Sequence, residues 1–314
     1  MSDSTYDIGI IGGGPAGLTA GIYTSREGLE TLLLEKGLCG GLPASTTLIE
    51  NYPGFPQGTN GMDLMEKFKE QAQRFGSEIA EFNEVTEVGV FEKKKRIKTD
   101  NKEYYARSLI IASGSIPKKL NIPGEEKYAG KGVSYCATCD GPLYRGKDVA
   151  VIGCGNSGLQ EGEALLNYVN SVTFIEFLPY MTAEKILQQR LKKDKRTEFL
   201  LNHELTSIDG EDLVSHVIAK DRQTGEKKRI DVSGVFIYAG FLPNSEFLQD
   251  IVELDKKGYI ITDENMETSV PGIYAVGDVR SKKVRQIDVA CGEGTIAAIS
   301  ARGYIKELKY EKVL

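Results

Sequence analysis

Apolar residues along this chain fall in short, dense runs rather than in strict alternation. Tyr6–Ile11 and Thr31–Leu34 are two such runs, and Asp148–Ile152 and Val172–Ile175 are two more. Runs of this kind predict strands covered on both faces, the habit of parallel sheets. Within each pair the apolar spacing changes to that of a helix, over Leu18–Arg26 and over Leu159–Tyr168.

A glycine turn joins strand to helix in both pairs: Gly12-Gly13-Gly14-Pro15-Ala16-Gly17 and Gly153-Cys154-Gly155-Asn156-Ser157-Gly158. An acid closes each second strand, Glu35 and Glu176, 18 residues past the last glycine in both copies (35 − 17 and 176 − 158). This is the order of a dinucleotide-binding unit. The first glycine permits a tight turn, the second lets the backbone approach a pyrophosphate, and the third lets helix pack on strand. The helix N-terminus offers partial positive charge to phosphates, and the acid can accept from ribose hydroxyls. The plainer reading is a glycine-rich turn in a domain that holds no nucleotide.

Each copy also ends in a similar strand-to-turn segment, Leu109–Pro117 and Val235–Pro243, so the pattern is an internal repeat. A further strand, Gly272–Asp278, and a helix over Val289–Ala298 return to the first unit. The expectation is an α/β fold of two Rossmann-like, three-layer ββα domains, the second inserted in the first. Domain one spans 1–116 and 246–314, and domain two spans 117–245.

Composition narrows the function. A net charge of −6 argues against nucleic acid as a partner, since phosphate contacts need clustered Lys and Arg. The basic runs Lys93-Lys94-Lys95-Arg96 and Lys192-Lys193-Asp194-Lys195-Arg196 read as solvated faces. The start MSDSTYDIGI lacks a signal peptide's basic and apolar regions, and no apolar run approaches the roughly 18 residues of a membrane span. The expected setting is therefore cytoplasmic, with no membrane partner. The five cysteines are few for a disulfide scaffold, and a single CxxC with two scattered histidines is a poor zinc set, so no metal is expected. The CxxC, Cys136-Ala137-Thr138-Cys139, is followed at once by Asp140. Without further metal ligands it favours thiol–disulfide exchange over a structural disulfide. Cys39, Cys154 and Cys291 read as small buried residues, with Cys39 the exception to watch.

Taken together, the glycine turns, the Ile49-Glu50-Asn51-Tyr52-Pro53-Gly54-Phe55 loop, Cys136–Asp140 and Gly277-Asp278-Val279 with Arg285-Gln286 resemble the low-molecular-weight thioredoxin reductases over nearly the whole chain. The resemblance implies FAD in the first domain, a nicotinamide nucleotide in the second, a homodimer, and thioredoxin as substrate. It places Gly12, Gly14, Pro15, Ala16, Gly17 and Glu35 at the adenosine and pyrophosphate of FAD. Gly40, Gly41 and Asn51 line the flavin, Asp278 meets the ribityl chain or pyrophosphate, and Gln286 with Ile287 meets the ring edge. It extends the cofactor surface to Lys36, Leu42, Val85, Ser113, Gly114, Gly277 and Arg285, with Leu42 where the family has Gln. Cys139 takes electrons from FAD, Cys136 attacks the thioredoxin disulfide, and Asp140 assists proton transfer. Two other readings stand beside it: a dithiol oxidase passing electrons to oxygen, and a non-catalytic redox-sensing flavoprotein. A peroxiredoxin reductase fits less well, because its extra N-terminal redox domains are not expected ahead of a strand at Tyr6.

The donor is where the resemblance departs from the family pattern. The basic cluster that meets the 2′-phosphate of NADPH is replaced by Glu176-Phe177-Leu178-Pro179-Tyr180-Met181. A carboxylate repels a 2′-phosphate and accepts from a free 2′-hydroxyl. The Glu-Phe-x-Pro stretch resembles NADH-using peroxiredoxin reductases. The wider stretch resembles atypical members that dispense with the nucleotide, including ferredoxin-dependent flavin thioredoxin reductases. There Gly153, Gly155, Asn156, Ser157, Gly158 and Glu176 would be a relic. Reduced ferredoxin is placed slightly ahead of NADH, and NADPH last. The tail from Tyr304 reads as a fraying helix, with Tyr310 as a candidate cover over the flavin.

Overall fold

The computed structural model describes residues 5–91 and 94–310, with side chains through 308. It divides into two compact units, one up to Ile116 and from Leu242 onward, the other Pro117–Phe241. In the first unit β1 (Thr5–Ile11) leads into α1 (Pro15–Arg26) and β2 (Thr31–Leu34). Then come α2 (Gly61–Arg74), β3 (Glu78–Ala80), β4 (Val85–Phe91), β5 (Lys94–Thr99), β6 (Glu103–Ile111) and β7 (Ser115–Pro117). The sheet order is β3-β2-β1-β6-β5-β4, parallel from β3 to β6 and antiparallel through β5 and β4.

The second unit holds β8 (Val133–Ser134), α3 (Ala137–Asp140), β9 (Asp148–Ile152), α4 (Asn156–Leu165), β10 (Ser171–Glu176), α5 (Lys185–Lys193) and β11 (Thr197–Leu201). It continues with β12 (His203–Gly210), β13 (Val214–Asp221), β14 (Lys227–Asp231) and β15 (Gly234–Ile237). A parallel sheet runs β11-β10-β9-β15-β8, beside an antiparallel sheet β12-β13-β14. The chain then passes β16 (Phe241–Pro243), which pairs with β7, and returns to the first unit as β17 (Ile273–Ala275), parallel to β6, and α6 (Ile287–Tyr310).

The dense apolar runs follow from covering both sheet faces. In β1, Ile8 and Ile10 pack with Leu18 and Ala20 of α1 and Ala297, Ala301 and Ile305 of α6. Ile11, with Leu32 and Leu34 of β2, packs on the other face against Ile97, Leu248 and Ile260. Each such side chain contributes about 1.5–3 kcal/mol when fully buried.

Several expected boundaries move. The second crossing between units falls at 241/242 rather than 245/246, and Asn244 N–H donates to Gly114 O at 3.0 Å within the first unit. Helix α1 begins at Pro15, not Leu18, because a proline at the first helical position costs no hydrogen bond. Helix α4 ends at Leu165, before Tyr168, whose carbonyl accepts Gly146 N–H at 2.9 Å. The helix expected over Val289–Ala298 starts at Ile287 and runs unbroken for 24 residues into the tail. The candidate cover Tyr310 has its side chain outside the described residues. The run around Lys95 is not a uniform solvated face. Strand alternation turns Lys95 inward, where it is 2% exposed and donates to Tyr304 Oη at 3.2 Å, while Arg96 pairs outward with Glu87 and Glu103. Lys93 lies outside the described residues. Among them, no helix is long and apolar enough to cross a membrane.

Close approach of α1 and α6 depends on Gly294, where an added Cβ would lie 2.4 Å from Ala16 O. Gly294→Ala should lower the stability read by urea unfolding by about 1–3 kcal/mol. Gly303→Ala, on the same helix with nothing within 4 Å of the added carbon, should raise it by about 0.5–1 kcal/mol. Equal effects of the two changes would contradict this packing.

Candidate functional site

In the first unit the turn after β1 is shaped by Gly12, whose φ of 108° suits glycine alone and whose added Cβ would lie 2.3 Å from Ala112 O. Gly17 packs against this turn so closely that an added Cβ would meet Gly12 O at 1.9 Å. Gly14 is different. Its backbone is ordinary, and a Cβ there would meet nothing nearer than Gly41 Cα at 4.0 Å. Neither conformation nor packing requires glycine at 14, which leaves the close approach of a ligand. Gly14 is also the N-cap of α1, and no side chain caps that helix end.

Glu35 follows β2 and accepts Gly13 N–H at 2.7 Å and Gly37 N–H at 3.0 Å. A carboxylate has about four acceptor positions, so capacity remains for ribose hydroxyls. Gly40 N–H donates to Gly13 O at 2.8 Å, which lays Gly40 and Gly41 against Gly14. Ser113 backs onto Gly12, its hydroxyl donating to Asn244 O at 2.7 Å, and Gly114 follows with φ 67°. Ala16 of α1 faces Gly277, 3.1 Å from where a Cβ there would be. Asn51 donates to Gln286 Oε1 at 3.1 Å across 235 residues of sequence, joining the loop to the start of α6 at Ile287.

Asp278 is held above the usual carboxylate range by burial, partly offset by Lys282 and Arg285. Arg285 stacks over Tyr259 at 4.4 Å and donates to Lys282 O. Lys36 and Leu42 are exposed, and Val85 opens β4 two residues after Asn83, whose N–H donates to Glu35 O at 2.9 Å. The residues of this unit thus fit a dinucleotide such as FAD: an uncapped helix N-terminus, an open glycine and an acid with spare acceptors. Sequence reasoning missed Glu293. It is 7% exposed and accepts from Gly277 N–H at 2.7 Å, Arg280 at 2.8 Å and Lys282 at 3.0 Å, fixing the loop that carries Asp278. Its signal was an acid between two glycines in a predicted helix.

The second unit repeats the construction. Gly153 has φ 106° and an added Cβ would lie 2.4 Å from Tyr238 O; at Gly158 it would lie 2.0 Å from Gly153 O. Gly155 has an ordinary backbone and its Cβ would meet only Thr182 Oγ1 at 3.5 Å. Glu176 accepts Cys154 N–H at 2.6 Å and Leu178 N–H at 2.9 Å. These offsets, 22 residues back and 2 ahead, are those of Glu35. Asn156 and Glu184 exchange hydrogen bonds beside Ser157 in the first turn of α4. Phe177 is 50% exposed and carries Arg222 over its ring at 3.6 Å.

Cys136 and Cys139 form a disulfide, with Cα atoms 5.4 Å apart. Cys136 is the N-cap of α3, and its Sγ accepts Cys139 N–H at 3.2 Å. Cys139 is exposed and Cys136 half-buried. Asp140 N–H donates to Cys136 O at 3.2 Å. Helix α4 lies beneath this turn: Leu159 and Leu165 share a core with Ala137. Burial pushes the Glu161 carboxyl on α4 up to about 7. Among the described residues, no group of three or more His, Cys, Asp and Glu is placed to hold a metal ion.

The family model for pyridine nucleotide-disulphide oxidoreductases matches residues 6–294. A thioredoxin reductase of Bacillus subtilis is 42% identical over 98% of this chain and 97% of its own length. The solved thioredoxin reductase of Lactococcus lactis superposes with a TM-score of 0.94 at 41% identity, covering 96% of this chain and 100% of that one. A ferredoxin-flavin thioredoxin reductase from Clostridium acetobutylicum superposes at 0.55 with 30% identity, over 98% and 99%. The chain belongs to the pyridine nucleotide-disulphide oxidoreductase family as a thioredoxin reductase-like flavoenzyme, an FAD-dependent oxidoreductase acting on sulfur groups.

Burial, reinforced by Glu81 and Glu35, pushes the Cys39 thiol up to about 12, and burial beside Glu176 does the same for Cys154; burial also raises Cys291. All three are protonated at pH 8 and poor nucleophiles. Iodoacetamide should therefore label Cys136 and Cys139 first in the reduced native protein, as read by mass spectrometry; rapid labelling of Cys39 would contradict the site. Glu161 gives a second check. Its folded value lies above that of the unfolded chain, so its contribution is fully present below about pH 4.5 and is lost as pH rises through about 7. Glu161→Gln should raise the melting temperature at pH 8 relative to wild type and leave no such gain at pH 5.

Proposed function

We propose that this enzyme reduces the disulfide of thioredoxin, with FAD in the first unit, NADH as the electron donor in the second, and a homodimeric assembly. The observation that carries the donor is Gly155 beside Glu176. A side-chain carbon at Gly155 would touch only Thr182 Oγ1, at an ordinary contact distance of 3.5 Å, and α4 has no side-chain cap there. A packing relic would explain Gly153 and Gly158 but not Gly155. The acid that ends β10 accepts from a free 2′-hydroxyl and repels a 2′-phosphate, which favours NADH over NADPH.

FAD, which Gly14, Glu35 and Asp278 of the first unit would hold, would supply two electrons to the Cys136–Cys139 disulfide. Cys136 at the N-cap of α3 is the nucleophile toward thioredoxin, since its sulfur already receives an amide N–H and a thiolate there is stabilised. Its attack forms a mixed disulfide and expels one thioredoxin sulfur as thiolate. Asp140, next in the chain to Cys139, assists delivery of the proton that turns this thiolate into a thiol. Cys139 then attacks Cys136 Sγ, restoring the enzyme disulfide and freeing the second thioredoxin thiol.

Reduced ferredoxin is the second reading, supported by the likeness to the Clostridium acetobutylicum protein. Ferredoxin is acidic and needs a basic dock. The candidate basic runs are partly committed within the chain: Lys95 is buried, Arg96 pairs with Glu87 and Glu103, and Arg196 pairs with Asp194.

The test is anaerobic mixing with NADH, NADPH or reduced ferredoxin, reading flavin absorbance, followed by thioredoxin disulfide. Fast bleaching by NADH with onward transfer is expected. Glu176→Gln should then lower kcat/KM for NADH about tenfold, the loss of one charge-assisted hydrogen bond, and raise it for NADPH, since the charge that repels the 2′-phosphate is gone. Bleaching by ferredoxin alone would overturn the donor. Oxygen consumption with a small dithiol and no transfer to thioredoxin would indicate a dithiol oxidase instead, and no turnover with any protein disulfide would indicate a redox sensor.

A further inference from the structure

The two units are alike at the end of their central strands, with one difference. Ala112 N–H donates to Ile11 O at 2.7 Å, and Tyr238 N–H donates to Ile152 O at 2.8 Å. Each carbonyl lies against the first glycine of its turn, Ala112 O against Gly12 and Tyr238 O against Gly153. The structurally equivalent positions are therefore 112 and 238, alanine in the unit without a redox pair and tyrosine in the unit with one. The tyrosine ring reaches the redox turn, where its hydroxyl accepts Ala137 N–H at 2.9 Å.

That amide lies between the two cysteines. Ala137 is 1% exposed, so water does not serve its N–H, and because it directly follows Cys136 its amide is four bonds from that sulfur, the competing acceptor. Cys136 Sγ already takes Cys139 N–H from the same turn. Tyr238 stays neutral, because burial and the facing carboxylates Glu161 and Asp140 hold its hydroxyl far above the ordinary phenol range. A neutral hydroxyl is an uncharged acceptor. A thiolate at Cys136 would be a charged one, and hydrogen bonds to charge are about twice as strong.

We propose that Tyr238 is a positioning residue that sets the reduction equilibrium of the Cys136–Cys139 pair by holding the Ala137 amide away from sulfur. Reduction adds two electrons and one proton to the disulfide, breaks the S–S bond, and leaves one thiol and one thiolate. While the disulfide stands, the amide has one good acceptor, the tyrosine. Once a thiolate forms, the same amide has two competing acceptors. Committing it to Tyr238 withholds a donor from the thiolate and so favours the disulfide, the state that hands electrons onward.

The test needs no nucleotide and no ferredoxin, so it stands or falls apart from the choice of donor. The full-length FAD enzyme is equilibrated with graded ratios of reduced to oxidised dithiothreitol. The fraction of reduced pair is then read by alkylation and mass spectrometry. Tyr238→Phe should shift this equilibrium about tenfold toward the dithiol. Tyr144→Phe is the control, removing a hydroxyl from a ring in the same core, and should leave the equilibrium unchanged. Amide exchange on the oxidised wild-type enzyme gives a second reading that depends on no variant. The Ala137 amide should be strongly protected. An unshifted Tyr238→Phe equilibrium would overturn the proposal, because the hydroxyl would then serve both redox states alike. Free exchange at Ala137 in the oxidised enzyme would overturn it too, even if the variant failed to fold.

Discussion

In each unit one carboxylate ties the end of the second strand to the glycine turn of the first. Glu35 takes the N–H of Gly13 and Glu176 that of Cys154, each with a second amide two residues beyond the acid. This bond sets the turn, the turn aims the helix N-terminus, and the helix carries the rest of the unit. In the first unit α1 then packs on α6, which presents Gln286 and Ile287 at its start. In the second, α4 passes beneath Cys136 and Cys139. Charge-assisted hydrogen bonds to backbone amides are the strong kind, and Glu176 is buried while Glu35 is half-buried. Losing either would release a loop rather than a side chain.

The two copies divide the chemistry between them. The first unit keeps small residues along its glycine turn and holds the loop of Asp278 with buried charge: Glu293 between Arg280 and Lys282. Breaking such a buried set by removing one member leaves an uncompensated charge, so this loop is held firmly. The second unit puts a short redox turn over the helix of its own glycine turn. The elements expected to meet a nucleotide and those that carry the disulfide thus share one core, through Leu159, Leu165 and Ala137.

What was legible in the sequence was local. The glycine turns, the spaced acids and the CxxC with its following acid each occupy a few residues whose types are dictated by backbone shape or by sulfur chemistry. What was hidden depends on partners far along the chain. Lys95 sits in a run of four basic residues, yet β5 alternation sends it under Tyr304, more than 200 positions away. Glu293 looked like one acid on a helix until Gly277, Arg280 and Lys282 came round it. The unbroken α6 was hidden by its glycines, which serve close packing on α1 at Gly294 rather than a break. Tyr238 carried a faint signal, since the repeat sets it opposite Ala112, but only the fold shows what its hydroxyl reaches.

The central claim is that Glu176 does for a nucleotide in the second unit what Glu35 does for the cofactor in the first. It is tested most directly by calorimetric titration of the FAD-loaded enzyme with ADP-ribose and with its 2′-phosphate derivative. Neither ligand can reduce the flavin, so binding is read alone. ADP-ribose is expected to bind at one site per chain, at least about tenfold more tightly than the 2′-phosphate form, given a carboxylate beside that phosphate. Tighter binding of the 2′-phosphate form, or no binding of either ligand, would contradict it.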